Sequence, residues 1–249
     1  MKIEEQLKKK YLYTKKKNLP KFLYLIFQFL KSKCKPRKLY SNWGIDILIK
    51  DILKKKKDKG IYIDVGCHHP LINNNTYILY KNGWKGINVD LDFNSIDMFN
   101  HFRPSDNNIL GALSNKEGQA NFYFFHSRAA KNTISKSRGK GAKSITKIKV
   151  NTLDNIIKNS KFKIKDIDFL SIDVEGNELN VLKGLNFKKY RPKIISIEFI
   201  KPNIKEFYHH NIKDILKSNI YKFMISKKYK LANWIHDDLI FISKTSGLL

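Results

Sequence analysis

Residues 61–66 read Ile-Tyr-Ile-Asp-Val-Gly, a short run of β-branched and aromatic residues that stops on an acid and a glycine. This composition predicts a buried strand followed by a turn at which the backbone can approach a ligand. A second apolar run, Gly86-Ile87-Asn88-Val89, stops on Asp90, 26 residues after Asp64. Two parallel strands joined by a crossover helix, the first ending in glycine and the second in an acid that can accept hydrogen bonds from a ribose, are typical of nucleoside-cofactor sites.

The residues after Gly66 distinguish one nucleoside cofactor from another. A dinucleotide pocket needs further spaced glycines, whose amides wrap a pyrophosphate, whereas Cys67-His68-His69-Pro70 follows here. Two imidazoles and a proline without an N–H make a poor pyrophosphate cradle. Asn74-Asn75-Thr76 adds polar groups at an expected helix N-terminus, which favours a smaller anion such as an amino-acid carboxylate. Together with a ribose on Asp90, this indicates S-adenosylmethionine.

Candidate cofactor ligands follow from this arrangement. We expect Asp64 to meet the ammonium group of the cofactor, directly or through water, and Asp90 to meet its ribose. The other candidates in the sequence are Gly66, His68, Asn75, Thr76, Asn94, Ser114 and Asp173. The alternative is that Asp64 and Asp90 only cap the ends of their strands.

At this point the chain resembles the FkbM family of S-adenosylmethionine-dependent methyltransferases. The likeness runs in one uninterrupted order over roughly residues 59–243, and it is carried by the segments 63–70, 75–90, 167–178 and 190–198. Many family members have a glycine where Pro70 stands here. The resemblance implies a class I methyltransferase fold, which is an α/β, Rossmann-like, three-layer fold with a seven-stranded, mostly parallel sheet. It also implies O-methylation of a hydroxyl group, as in antibiotic tailoring and glycan modification.

The alternation of short apolar runs with helix-length segments independently predicts an α/β fold with a parallel sheet. Strands are expected at 61–65, 86–90, 108–113, 167–172, 193–199, 229–235 and 238–243, and helices at 74–82, 94–101, 152–159, 177–184 and 211–227, the last with a break. His236-Asp237 is short enough to join the last two strands as an antiparallel hairpin. Residues 120–125 predict an extra strand, and the Lys-, Ser- and Gly-rich residues 127–149 predict a mobile loop or lid.

Residues 1–58 are expected to form a Lys-rich helical extension, and residues 59–249 the methyltransferase domain. The apolar run 22–30 is too short to span a bilayer. A contact of residues 1–33 with a membrane surface and packing of this segment on the domain are both left open. Two cysteines in 249 residues do not make a disulfide framework, so a cytoplasmic location is expected.

The net charge of +27 points to a polyanionic partner or to compositional drift. Arginine occupies only five of the 49 basic positions, whereas nucleic-acid readers recruit arginine for its bidentate fork. We therefore expect a small-molecule or glycan substrate rather than a nucleic acid. A nucleic-acid methyltransferase, or a non-catalytic module that binds membranes or polyanions through a degenerate pocket, remain the alternatives.

Candidate catalytic residues lie where later strands are expected to end. Asp173 and Glu175 follow the strand at 167–172, and Glu198 lies at the end of the strand at 193–199. The carboxyl ends of neighbouring parallel strands are where α/β sheets bind ligands. A hydroxyl acceptor needs a base, for which these acids and His69 are candidates. No metal ligand is assigned, although the three acids could hold Mg²⁺.

Overall fold

The structure is a computed structural model that describes residues 39–54, 59–127, 129–199 and 211–248, together with Leu23. Apart from Leu23, the residues of the expected membrane contact, 1–33 with the apolar run 22–30, lie outside this described part of the chain. Within the described part of the chain, no helix has both the length and the apolar character needed to cross a bilayer.

The described helices and strands alternate along most of the chain. The strands are β1 (Ile61–Val65), β2 (Lys85–Asp90), β3 (Asn107–Leu110), β4 (Ala112–Leu113), β5 (Gly118–Phe124), β6 (Ser144–Asn151), β7 (Phe169–Ile172), β8 (Ile194–Glu198), β9 (Tyr229–Ile235) and β10 (Asp238–Ser243). The helices are α1 (Ile45–Ile52), α2 (Tyr77–Lys81), α3 (Phe93–Phe102), α4 (Leu153–Lys158), α5 (Glu178–Lys183), α6 (Ile212–Lys217) and α7 (Asn219–Ser226).

Among the described residues, seven strands form one sheet in the order β3-β2-β1-β7-β8-β10-β9. The pairs β1–β2, β2–β3, β1–β7 and β7–β8 are parallel, and β10 is antiparallel to both of its neighbours. The two-residue turn between β9 and β10 forms the predicted hairpin. The predicted class I methyltransferase fold, with its mostly parallel seven-stranded sheet and C-terminal antiparallel hairpin, is therefore confirmed.

The alternation of side chains along the strands gives the sheet two apolar faces, because successive residues point to opposite sides. Tyr62 of β1 packs in one cluster with residues of α1 and α2. Its neighbour Ile63 packs in the other, with residues of α4, α5, α6 and α7. Helices therefore cover both faces, which gives the three layers.

Helix α1 packs against the sheet, although it lies before residue 59. Ile45, Ile49 and Leu53 are buried in the cluster that contains Tyr62 and Ile240. The compact unit that contains the sheet begins at Leu39. The expected boundary between residues 58 and 59 does not coincide with it, because the apolar face of α1 contributes to the core.

Two predicted segments differ from the structure. The strand expected at 108–113 is divided at Gly111, whose N–H donates to the Asp90 carbonyl (2.8 Å); β3 stays in the main sheet and β4 joins a second one. The segment 127–149, expected to be a loop, includes most of β6. Residues 147–150 alternate polar and apolar side chains, and residues 144–150 pair with β5, which confirms the extra strand predicted at 120–125.

Candidate functional site

A cleft lies at the carboxyl ends of β1, β2 and β7, and encloses about 950 Å³ when its open mouth is included. Apolar side chains and acids line different parts of it. The lining residues are Asn42, Val65, Gly66, His68, Asn73, Val89, Asp90, Leu91, Asp92, Ser95, Gly111, Ala112, Leu113, Ala129, Ala130, Asn132, Ile134, Asp173, Val174, Glu175 and Asn177.

Gly66 forms the turn between β1 and the loop that borders the cleft. Its φ of +81° lies in the left-handed region, and a Cβ added there would lie 1.6 Å from the carbonyl oxygen of Asp173. Its N–H donates to the carbonyl of Val89 (2.8 Å). The turn therefore lets the ends of three strands approach one another, and only glycine meets both requirements.

Asp90, at the end of β2, borders the cleft as predicted and organises the backbone around it. One carboxylate oxygen accepts from the N–H of His68 (2.8 Å) and the other from the N–H of Asp92 (2.8 Å). Burial raises the pKa of Asp90, and these two N–H groups oppose that rise. His68 lies on the same side of the cleft, with a φ of +50°.

Asp64 lies outside the cleft lining, facing the side of the sheet opposite to Ile63 and Val65. Its carboxylate accepts hydrogen bonds from Asn74 Nδ2 (3.1 Å) and Thr76 Oγ1 (2.8 Å). Burial raises its pKa to about 6, although the Arg103 charge and the two hydrogen bonds oppose this. In this structure Asp64 and Thr76 hold the loop at 67–76 rather than line the cleft.

The remaining predicted cofactor ligands also lie outside the cleft lining. Asn75 Nδ2 donates to Ser171 Oγ (3.1 Å), and Asn94 Nδ2 donates to Ser127 Oγ (2.7 Å). Ser114 places its carbonyl oxygen 2.3 Å from where a Cβ on Gly184 would lie. The φ of Gly184 is −79°, so this close approach, and not a left-handed backbone, accounts for the glycine.

A buried arginine, Arg103, forms hydrogen bonds with the loop at 67–76. The guanidinium of Arg103 pairs with Asp106 (2.9 Å) and donates to the Oδ1 of Asn74 (3.1 Å) and to the Oγ1 of Thr76 (3.0 Å). It also donates to the hydroxyl of Tyr62 (2.7 Å). Because each donor has an acceptor, a fully buried charge is accommodated and links α3 to the loop that follows β1.

The three predicted catalytic acids converge at one side of the cleft. One oxygen from each of Asp173, Glu175 and Glu198 lies within 4.8 Å of the others. Asp173 lines the cleft and is exposed to it. Desolvation, reinforced by the neighbouring carboxylates, raises the pKa of Asp173 well above its usual range. The same two causes raise the pKa of Glu198.

The turn after β7 positions Glu175, which has a φ of +57°. Arg138 pairs with its carboxylate (2.5 Å), and Thr133 Oγ1 donates to its carbonyl (2.9 Å). Burial raises the pKa of Glu175, and Arg138 opposes this. Glu178 accepts from the N–H groups of Val174 (3.3 Å) and Gly176 (2.7 Å), as expected for an acid in the first turn of a helix.

His69, the remaining catalytic candidate, does not line the cleft. Its Nδ1 accepts from the backbone N–H groups of Leu71 and Ile72, at 3.0 Å each. The ring therefore shapes its own loop. The assignment of His69 as a catalytic base stays a prediction.

Asp92 and Ser95 are among the lining residues that were not predicted from the sequence. Asp92 caps α3, accepting from Asn94 N–H (2.8 Å) and Ser95 N–H (3.3 Å). The pattern Asp-Phe-Asn-Ser after a strand is an N-cap signal that could have identified it. Ser95 is fully buried, and its Oγ has no hydrogen-bond partner among the described residues. No sequence signal marks that hydroxyl.

A parallel sheet with this strand order and an acid-lined cleft at the ends of its first, second and fourth strands defines the Rossmann-like methyltransferase class. Residues 64–223 match the Methyltransferase FkbM domain. The chain therefore belongs to the FkbM methyltransferase family, as the sequence predicted.

Two solved structures are similar over most of their length. One is a TehB-like SAM-dependent methyltransferase from Corynebacterium glutamicum, with 12% identity and a TM-score of 0.38, covering 89% of this chain and 96% of that one. The other is a putative RNA methyltransferase from Pyrococcus horikoshii, with 11% identity and a TM-score of 0.38, covering 84% of this chain and 91% of that one. Both TM-scores are low, so neither likeness bears on the activity of this chain. No curated protein matches it significantly.

Proposed function

We propose that this FkbM-family protein transfers a methyl group from S-adenosylmethionine to a hydroxyl of a sugar, a glycan or a related small molecule. The observation that carries the proposal is the meeting of Asp173, Glu175 and Glu198 at the edge of the cleft bordered by Gly66 and Asp90. The side of the cleft bordered by Gly66 and Asp90, which we call the cofactor side, therefore adjoins the side that carries the three acids, which we call the acceptor side.

The residues of the cleft fit S-adenosylmethionine. The cofactor carries a sulfonium and an ammonium, which carboxylates such as Asp90 and Asp173 favour electrostatically. Val65, Leu91 and Leu113 offer apolar surface for a purine. The unpartnered Oγ of Ser95 offers a buried hydrogen-bonding group on the same lining. When bound, the cofactor supplies an electrophilic methyl group.

The acceptor side supplies orientation and a place for a proton. A hydroxyl group that donates a hydrogen bond to a carboxylate oxygen of Asp173 or Glu198 is held by that bond, and its proton can move to the same oxygen. Burial of Glu198 keeps bulk water from competing for this position. Much of the rate enhancement then comes from positioning.

An exposed aromatic surface near the cleft supports a sugar-like acceptor. The indole of Trp43, which is 52% exposed, stacks on the ring of His236 with a centroid separation of 4.0 Å and an interplanar angle of 16°. Its neighbour Asn42 lines the cleft. The turn that carries His236 is joined to the end of β8 by a hydrogen bond from Phe199 N–H to the Asp237 carbonyl (2.6 Å). Such a surface beside acids suits the apolar face and hydroxyls of a sugar.

The proposal is tested by incubating the purified full chain with methyl-labelled S-adenosylmethionine and either glycan fractions or RNA from the source cell. We expect label in the glycan fraction, and we expect Asp173→Asn to remove about 99% or more of it, because a positioned base contributes roughly 10²–10⁴-fold. Asp97→Asn, which changes an exposed acid of α3, is the matched control. Label in RNA alone would support the nucleic-acid alternative suggested by the charge of +27.

A cytoplasmic location and a contact of residues 1–33 with an anionic membrane surface are part of the proposal. Their support is compositional, from the low cysteine content and the basic residues around the apolar run 22–30. Flotation of the full chain with anionic vesicles, compared with a chain that begins at residue 39, tests the membrane contact. Equal flotation would contradict it.

A further inference from the structure

We propose that Asp173, Glu175 and Glu198 together bind a hard divalent cation such as Mn²⁺ or Mg²⁺ on the acceptor side of the cleft. The binding itself is independent of the proposed function. The role that we give the cation, which is to hold the oxygen of the acceptor hydroxyl, rests on that function.

The fold brings these three carboxylates together from two adjacent strands. Asp173 directly follows β7, and Glu198 ends β8, which is parallel to β7 and next to it in the sheet. Glu175 returns toward them through the turn in which its φ is +57°. One oxygen of each lies within 4.8 Å of the others, a span that a cation with ligand distances of roughly 2.0–2.6 Å can bridge.

A second observation concerns Glu198 alone. The residue is 7% exposed, and its Oε2 has no hydrogen-bond partner among the described residues. A buried carboxylate oxygen without a partner is costly, since desolvation of a charge needs compensation. The neighbouring side chains of Asp173 and Glu175 also end in carboxyl groups, and a cation between the three would supply the missing partner.

The carboxyl groups around the cluster outnumber the basic groups beside them, which favours a bound cation. Besides the three ligands, the acids that face the cluster are Glu178 and Asp238, and the latter accepts from Ser196 Oγ (2.9 Å). Arg138 pairs with one oxygen of Glu175. Its guanidinium is the positive charge beside these carboxyl groups in the described part of the chain. One guanidinium does not balance this number of carboxylates.

The ligand types select the kind of cation. Carboxylate oxygens suit Mg²⁺, Mn²⁺ and Ca²⁺, whereas Zn²⁺ is usually bound through nitrogen or sulfur ligands. Three protein ligands leave further positions in a six-coordinate shell. An acceptor with one or two hydroxyl groups could fill them, so the cation would select polyhydroxylated acceptors and place one oxygen toward the cofactor side.

Calorimetric titration of Mn²⁺ into chelator-treated, dialysed full chain tests the binding. We expect saturable binding near one ion per chain, weakened about tenfold or more by Glu198→Gln and unchanged by the control Asp97→Asn. Mn²⁺ should raise the melting temperature of the wild type and of Asp97→Asn but not that of Glu198→Gln. If Glu198→Gln does not fold, as judged by circular dichroism, Asp173→Asn replaces it in both measurements.

The absence of saturable Mn²⁺ binding to folded wild type, or equal affinity in the ligand variants and the control, would overturn the proposal. A parallel titration with S-adenosylmethionine in the absence of metal separates this result from the proposed function. Cofactor binding without cation binding would remove the metal site and leave the methyltransferase assignment intact. Cation binding without cofactor binding would support the metal site and contradict the proposed methyl transfer from S-adenosylmethionine.

Discussion

At the scale of single residues, Gly66 matters most to the geometry of the cleft. Both its positive φ and its approach to the Asp173 carbonyl exclude a side chain. That carbonyl belongs to Asp173 itself. A side chain at Gly66 would therefore displace the backbone that carries one of the three acids. The glycine therefore couples the turn after β1 to the acids that we propose as catalytic.

We predict that Gly66→Ala lowers the free energy of unfolding by at least about 3 kcal/mol, since the left-handed conformation costs about 1–2 kcal/mol and the backbone clash adds to it. Gly141→Ala is a matched control, because Gly141 has the same φ of +81° but would place its Cβ with nothing within 4 Å. Denaturant unfolding of both variants measures the difference. Equal losses would show that the contact with Asp173 does not constrain the turn.

The residues that could be placed from the sequence were those at strand ends. Asp90 and Glu198 end strands of the sheet and Asp173 directly follows one, so their placement at one edge followed from the rule that parallel strands end there. Asp64 could not be placed in the same way, because it lies within β1 and shares a face with Tyr62. Its partners Asn74 and Thr76 became apparent only with the folded loop.

At the scale of elements, the Arg103 network holds the loop after β1 against α3 and β2. The Asp106 carboxylate accepts from Arg103, from Gly86 N–H (2.8 Å) and from the Tyr62 hydroxyl (2.5 Å). The arginine thus connects a strand, a helix and the loop that borders the cleft. The sequence contained no signal for this beyond the spacing of Arg103 and Asp106.

We predict that Arg103→Met costs about 3–5 kcal/mol, because it leaves the buried carboxylate of Asp106 without its charge partner. Arg191→Met is the comparison, since Arg191 is partly exposed and donates to the Lys227 carbonyl (2.7 Å); we expect it to cost about 1 kcal/mol. Chemical unfolding gives both values. A loss for Arg103→Met no greater than that for Arg191→Met would contradict the role of the network.

The elements that the sequence did not predict depend on long-range pairing. The division of the third predicted strand at Gly111 and the start of β6 at Ser144 both arise because β4 and β5 pair with β6. Local composition favoured a loop at 127–149, and the exposed lysines of β6 obscured its alternation. The centre of the main sheet was predictable because β1, β2, β7, β8 and β10 are mostly buried apolar runs.

At the scale of the whole molecule, the compact unit extends further toward the N-terminus than the family match. The match covers 64–223, whereas the compact unit begins at Leu39. The difference includes α1, whose apolar residues complete one face of the sheet. Residues 1–58 are Lys-rich overall, but residues 39–49 contain no lysine, and this change in composition is the sequence signal that could have divided the segment near residue 39.

We predict that a chain beginning at Leu39 keeps the melting temperature of the domain in the full chain, and that a chain beginning at residue 59 melts far lower or does not fold. The second truncation removes Ile45, Ile49 and Leu53, each of which contributes about 1.5–3 kcal/mol by burial. Differential scanning calorimetry compares the two. Equal melting temperatures would place the domain boundary at residue 59, as first expected.

The central claim, that the cleft binds S-adenosylmethionine, is tested most directly by isothermal titration of that cofactor into the purified full chain. We predict saturable binding at one site. Asp90→Ala should weaken it by about tenfold or more, since a charge-assisted hydrogen bond contributes roughly 1.5–3 kcal/mol. Asp97→Ala, at an exposed position of α3, should bind like the wild type. No binding of the cofactor by folded protein at near-millimolar concentration, or equal affinity in Asp90→Ala and Asp97→Ala, would contradict the account.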